Sequence, residues 1–84
     1  MQILEQIQHY KTVWGELIPH IIAPHTQDVL RWCEYQPDIV EKAIARTARK
    51  FAVDRIDPST FDPESAYRYV SGTARIATER GDGR

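Results

Sequence analysis

The sequence has few of the residues on which most catalytic, metal and disulfide sites depend. Its single cysteine, Cys33, excludes an intramolecular disulfide, and none of its four glycines belongs to a phosphate-binding loop. The histidines His9, His20 and His25 are eleven and five residues apart, whereas two ligands on one helical face need a spacing of three or four. Acidic residues are scattered singly, which gives paired-carboxylate chemistry no support. We therefore expect no metal, no cofactor and no enzymatic activity.

Long apolar runs are also missing. The longest are only a few residues, too short to span a bilayer. The first residues include Glu5 where a secretory signal would be basic, and they lack a continuous apolar centre. A lone thiol fits a reducing compartment. These absences predict a cytoplasmic protein without a membrane partner.

Charge is unevenly distributed along the chain. The formal net charge is -1, but residues 1–40 carry a balance of -3 and residues 41–84 a balance of +2. The second part of the chain could therefore attract polyanions, although an asymmetry this mild does not identify a nucleic-acid-binding protein by itself.

Apolar residues recur at three- and four-residue intervals, and no alternation typical of strands is present. The 84 residues suffice for one core. We predict an all-α fold, a compact bundle of four to five helices joined by short, proline-marked turns, with one domain over residues 1–80 and a frayed tail at 81–84. The expected helices cover about residues 2–14, a shorter turn near 15–22 after a break, a segment starting at Pro24 and ending near Trp32, a segment from Pro37 to Phe51, and a segment from Pro63 to about Glu79.

A basic row marks the helix that follows Pro37. Lys42, Arg46, Arg49 and Lys50 are spaced by four, three and one, which places them on one side of that helix. Clustered cations of this kind bind phosphates, because each neutralised phosphate releases a condensed counterion. The alternative is a solvated face whose cations complement the negative end of the helix dipole.

The last helix adds Arg68, Arg75 and Arg80, interleaved with Tyr67 and Tyr69. Aromatic rings beside arginines can stack on unpaired bases while the cations follow the backbone. The alternative is that Tyr69 is a core residue and Tyr67 is half-exposed packing. The candidate nucleic-acid-binding residues are Lys42, Arg46, Arg49, Lys50, Tyr67, Arg68, Tyr69 and Arg75.

The chain contains a series of short motifs at 13–17 (VWGEL), 24–32 (PHTQDVLRW), 37–40 (PDIV), 43–46 (AIAR) and the pair Tyr69 and Val70. In this order they resemble the DnaD-like domain of bacterial and phage replication-initiation proteins. The resemblance implies an all-helical module that binds DNA, often single-stranded, and helps assemble a primosome or load a helicase. In that family the closing helix, beginning at its tyrosine, is associated with DNA contact, which here corresponds to Tyr69 and Val70.

Two functions are therefore expected as alternatives. One is a DNA-binding module of a replication-initiation protein, with single-stranded DNA favoured and a helicase or helicase loader as further partner. The other is a protein-interaction or homo-oligomerisation module of a phage or plasmid accessory factor. The second is suggested by the broad apolar stripe of residues 3–21, which exceeds what a small bundle needs to bury.

Overall fold

The computed structural model describes residues 2–81, in which four α-helices are joined by short connections. They are α1 (Ile3–Leu17), α2 (Thr26–Trp32), α3 (Pro37–Lys50) and α4 (Pro63–Glu79), with one turn of 3-10 helix at Val53–Arg55. The described residues contain no strand, and the predicted all-α bundle of four to five helices is confirmed. Helix α4 is followed by Gly81 at φ 78°, the left-handed conformation with which helices often end. The rest of the predicted frayed tail, residues 82–84, lies outside the described residues.

The start of the chain differs from the prediction at Gly15. Helix α1 continues through Gly15 to Leu17, and no second turn of helix forms over 15–22. Glycine lowers helix propensity but keeps its backbone hydrogen bond, so a helix with a buried face tolerates it. Pro19 ends the helix, because the residue before a proline is disfavoured in the α conformation. Ile18 accordingly leaves the helical region, with φ −131° and ψ 58°.

The predicted start of α2 at Pro24 is also wrong by two residues. Pro24 is buried in the connection, His25 occupies the N-cap position with an extended backbone, and the helix begins at Thr26. The connection from Ile18 to His25 carries the buried side chains of Ile18 and Ile21 into the core, so tertiary packing rather than capping chemistry decides where α2 begins.

The two long helices of the second half begin where prolines predict. Pro37 and Pro63 each lie at the first position of their helix, where the missing N–H has no partner to lose. Before α4, the Asp62 carboxylate accepts a hydrogen bond from the Glu64 backbone N–H at 3.1 Å, which caps one of the unpaired amides.

Two tryptophans occupy the centre of the core. Trp14 and Trp32 are fully buried and stack with ring centroids 6.0 Å apart. The Trp14 indole N–H donates to the Ile21 carbonyl at 3.0 Å, and that of Trp32 donates to the Ser71 hydroxyl at 3.0 Å. The stacked rings therefore fasten α1 and α2 together, while their polar atoms bind the connection after α1 and helix α4.

Helices α3 and α4 form the most extensive helix pair and run antiparallel. Phe51, which follows α3, contacts Tyr69 near the start of α4, with ring centroids 5.8 Å apart. At the opposite end, Ile39 in the first turn of α3 shares a groove with Ala77 and Arg80 in the last part of α4. This pairing brings the basic row of α3 alongside α4.

Candidate nucleic-acid interface

The basic row of α3 is exposed along its whole length. Lys42, Arg46, Arg49 and Lys50 all lie at the surface, while Ile39, Val40, Ala43, Ile44 and Thr47 of the same helix are buried. Within residues 2–81, no carboxylate oxygen lies within 4.0 Å of the cationic nitrogens of this row. These cations are not neutralised by neighbouring acids and can contact a ligand.

A groove of about 560 Å³ separates the basic row from α4. Lys42 and Arg46 line it from α3, and Arg80 lines it from the end of α4. Its remaining lining is mostly apolar or aromatic and comprises Ile39, Ala43, Tyr69, Thr73, Ile76 and Ala77. Ile76 is 46% exposed, so the groove presents a sizeable apolar side chain to solvent. The groove thus combines cations, which can contact phosphates, with an exposed aliphatic side chain and an aromatic ring, which can contact bases.

Tyr69 closes one end of the groove. Its ring is half-buried, the Lys50 ammonium lies 5.2 Å from its centroid, and Phe51 meets it edge-on. The cation–π contact holds Lys50 over the ring, so this cation is less available to phosphates than those of Lys42 and Arg46. Tyr69 therefore lines the groove with a partly exposed aromatic ring.

The inclusion of Tyr67 in the interface is corrected by its burial. Tyr67 is 6% exposed, and its ring packs edge-on against Trp14 with centroids 5.4 Å apart. Its hydroxyl donates to the Ile22 carbonyl at 2.6 Å, and burial raises the pKa of this phenol. The expectation for the two tyrosines is thus reversed, since Tyr67 is the core residue and Tyr69 the partly exposed one. A base cannot stack on Tyr67 without unfolding the core.

Arg68 and Arg75 lie on the other flank of α4. Both line a second cleft of about 340 Å³ between α2 and α4, which they share with Arg31. Arg68 is 3.8 Å from Asp62 and 3.9 Å from Glu64, in exposed pairs worth little energy. The predicted residues therefore do not form one patch. Lys42, Arg46 and Tyr69 meet in the first groove, and Arg68 and Arg75 belong to the second.

Ile76, Arg80 and Arg31 are among the cleft residues that were not assigned to the site from the sequence. Ile76 and Arg80 follow Tyr69 by seven and eleven residues, which places all three on the same side of α4. Helical spacing therefore predicts both residues once Tyr69 is known to face α3. Arg31 carries no such signal, because only the packing of α2 against α4 brings it near Arg75.

Two histidines contact other parts of the bundle. The His9 imidazole lies 2.8 Å from the Glu41 carboxylate and joins α1 to α3, while the His20 ring lies 2.6 Å from the Phe51 carbonyl oxygen. Burial raises the pKa of the half-buried Cys33 thiol, which disfavours the nucleophilic thiolate. Across residues 2–81, no group of three or more histidine, cysteine or acidic side chains is placed to hold a metal ion. None of the helices in the same range is long and apolar enough to cross a membrane.

In comparisons with known proteins, no family model, no curated protein and no solved structure matched this chain. The DnaD-like resemblance therefore stays a prediction from short motifs.

Proposed function

We propose that this chain is a non-enzymatic DNA-binding module that prefers single strands. The observation that supports it most directly is the basic row of α3, which has no ion pair within residues 2–81 and lies beside a groove with Lys42 and Arg46 on one rim and Arg80 at the end of the other. Phosphates would follow these cations, and bases would turn toward Tyr69 and Ile76.

The preference for single strands rests on the shape and lining of the groove. A duplex keeps its bases stacked inside and offers phosphates and groove edges, so the apolar floor would gain nothing from it. An unpaired base can leave the strand and cover Ile76, which removes apolar surface from water.

A role in replication initiation or primosome assembly, in the cytoplasm and with a helicase or loader as partner, is the biological context that we propose for this binding. Its support is the motif resemblance, together with the lone cysteine, which fits a reducing compartment.

The test is fluorescence anisotropy of a labelled oligodeoxythymidylate and of a duplex of the same length, over a series of salt concentrations. If Lys42, Arg46 and Arg80 each meet a phosphate, the logarithm of the affinity should fall with the logarithm of salt concentration with a slope of about −2 for the single strand. Affinity for the duplex should be lower at every concentration.

Charge variants locate the binding face. Arg46→Glu combined with Arg49→Glu should abolish binding and leave the helical circular dichroism unchanged, because both side chains are exposed. The single variants Arg46→Glu and Lys11→Glu form a matched pair, since they change the net charge equally but Lys11 lies on α1 and contacts Thr26. Equal affinities of the double variant and the parent chain would show that the face is wrongly assigned.

Self-association is the second candidate function, and exposed apolar residues at the start of α1 favour it. The middle of the apolar stripe, including Ile7, Tyr10 and Trp14, is buried within the bundle, but Ile3 is 57% and Leu4 is 78% exposed. Analytical ultracentrifugation at high concentration distinguishes the candidates. Self-association would be supported by a dimer that dissociates in the variant Leu4→Gln but persists in the equally polar variant Ile22→Gln. A monomer at every concentration would exclude it.

A further inference from the structure

The cleft between α2 and α4 has the chemistry of a second anion-binding site. Arg31 projects from α2 and Arg75 from α4, and both are exposed. In the described range neither guanidinium has a carboxylate oxygen within 4.0 Å, although Glu34 also lines the cleft. A guanidinium that retains its N–H donors can bind a phosphate through two parallel hydrogen bonds.

Ser71 adds a neutral donor to the same cleft. Its oxygen accepts the hydrogen bond from the Trp32 indole N–H at 3.0 Å, and this contact fixes the position of the side chain. Accepting that bond uses a lone pair and leaves the hydroxyl hydrogen able to donate to a ligand. The cleft thus combines two cationic forks with a hydroxyl that the core holds in place.

The two clefts lie on opposite flanks of α4, and Gly72 lies between them. Gly72 lines the second cleft, and Thr73, the next residue, lines the first. A Cβ added at Gly72 would meet nothing within 4 Å, so the space above this point of the helix is open. Because Gly72 has no side chain, the exposed ridge of α4 is lower at this position, and a ligand can pass over the helix here.

We propose that one DNA single strand crosses α4 over Gly72, with phosphates bound by Lys42 and Arg46 on one flank and by Arg31 and Arg75 on the other. The proposal rests on the proposed function, because it extends the same strand from the first groove into the second cleft. Arg68, which is close to Asp62 and Glu64, contributes little to this path.

The crossing sets a minimum length for the ligand. A helix with its side chains is about 10–12 Å across, and a stacked strand advances about 3.4 Å per nucleotide along its axis, so about three to four nucleotides span the ridge alone. An oligonucleotide of about four nucleotides can fill one cleft only, whereas one of about twelve reaches both.

The experiment measures the anisotropy of fluorescein-labelled oligodeoxythymidylates of these two lengths, about 4 and about 12 nucleotides, on the full chain. The double variant Arg31→Glu with Arg75→Glu should weaken binding of the longer strand about tenfold or more and change that of the shorter strand much less. The control is Lys11→Glu with Arg55→Glu, which changes the net charge equally outside both clefts.

A charge-neutral variant tests the path itself. The leucine side chain of Gly72→Leu lies in open space, so it should not prevent folding. This variant should weaken binding of the longer strand severalfold, whereas Gly72→Ala should change its affinity little. If Arg31→Glu with Arg75→Glu changed the affinity for both oligonucleotides equally, or for neither, the proposed crossing would be overturned. Binding in the first groove would not be affected by that result. Failure of the parent chain to bind either strand, or no loss with Arg46→Glu, would overturn the proposed function and the crossing with it.

Discussion

Replacing the two mid-helix glycines with alanine should stabilise the protein. Gly15 lies within α1 and Gly72 within α4, and Gly81 is the only glycine of the described chain with a positive φ. A Cβ built at either Gly15 or Gly72 has no neighbour within 4 Å. This geometry excludes a close approach of another helix at Gly72.

The size of the gain follows from helix propensity alone, because the added methyl groups make no new contacts. Alanine is favoured over glycine by about 0.8–1.0 kcal/mol in a helix interior, so each substitution should raise the free energy of unfolding by somewhat under ~1 kcal/mol. For a domain of this size that corresponds to a rise in Tm of about 4–8 °C per kcal/mol. The two added groups share no neighbour, so their effects should add to within about 0.5 kcal/mol.

Urea denaturation followed by far-UV circular dichroism measures the effect, and the midpoint should rise without a change in the m-value. Gly81→Ala is the control of opposite sign, since φ 78° is strained for any residue with a Cβ. A gain at Gly15 combined with a loss at Gly72 would refute the reasoning, because it would mean that the ridge of α4 is covered.

Three further predictions concern the core and the helix ends. Tyr67→Phe should lower the free energy of unfolding by about 0.5–1.5 kcal/mol, because the hydrogen bond from its hydroxyl to the Ile22 carbonyl is lost; thermal denaturation measures this cost, and an unchanged Tm would show that the bond contributes nothing. Burial raises the pKa of Tyr10 and Tyr67 above 10.0. Their contribution to the free energy of unfolding should therefore be fully present below pH 10.0 and be lost as the pH rises through the folded-state pKa values. Urea denaturation at pH values below and above 10.0 tests this, and a free energy of unfolding that does not change with pH would contradict it. Asp62→Ala should cost about 1 kcal/mol by removing the cap of α4, measured by urea denaturation against Asp54→Ala on the 3-10 turn, and equal costs would argue against the cap.

The helix starts that could be predicted from the sequence are those with local chemistry. At Pro37 and Pro63 the proline itself determines the first helical position, and Asp62 reinforces the second. Pro24 carries the same local signal but lies in a connection, because the buried side chains of Ile18 and Ile21 require the chain to cross the core before α2 begins. The predicted break at Gly15 does not occur for a related reason. Burial of Tyr10 and Trp14 on the same helix outweighs the lower helix propensity of glycine, which costs about 1 kcal/mol.

The sequence by itself determined that a bundle of four to five helices forms and that Lys42, Arg46 and Arg49 share one side of the helix after Pro37, because helical spacing is a local property. Only the tertiary structure decided which partners those residues have. Tyr67 and Tyr69 are two residues apart on the same helix but have different surroundings. Tyr67 contacts the Ile22 carbonyl and Trp14 in the core, whereas Tyr69 contacts Phe51 after α3 and lines the groove. Arg75 joins Arg31 for the same reason, since a cleft belongs to a pair of helices and its composition depends on how they pack.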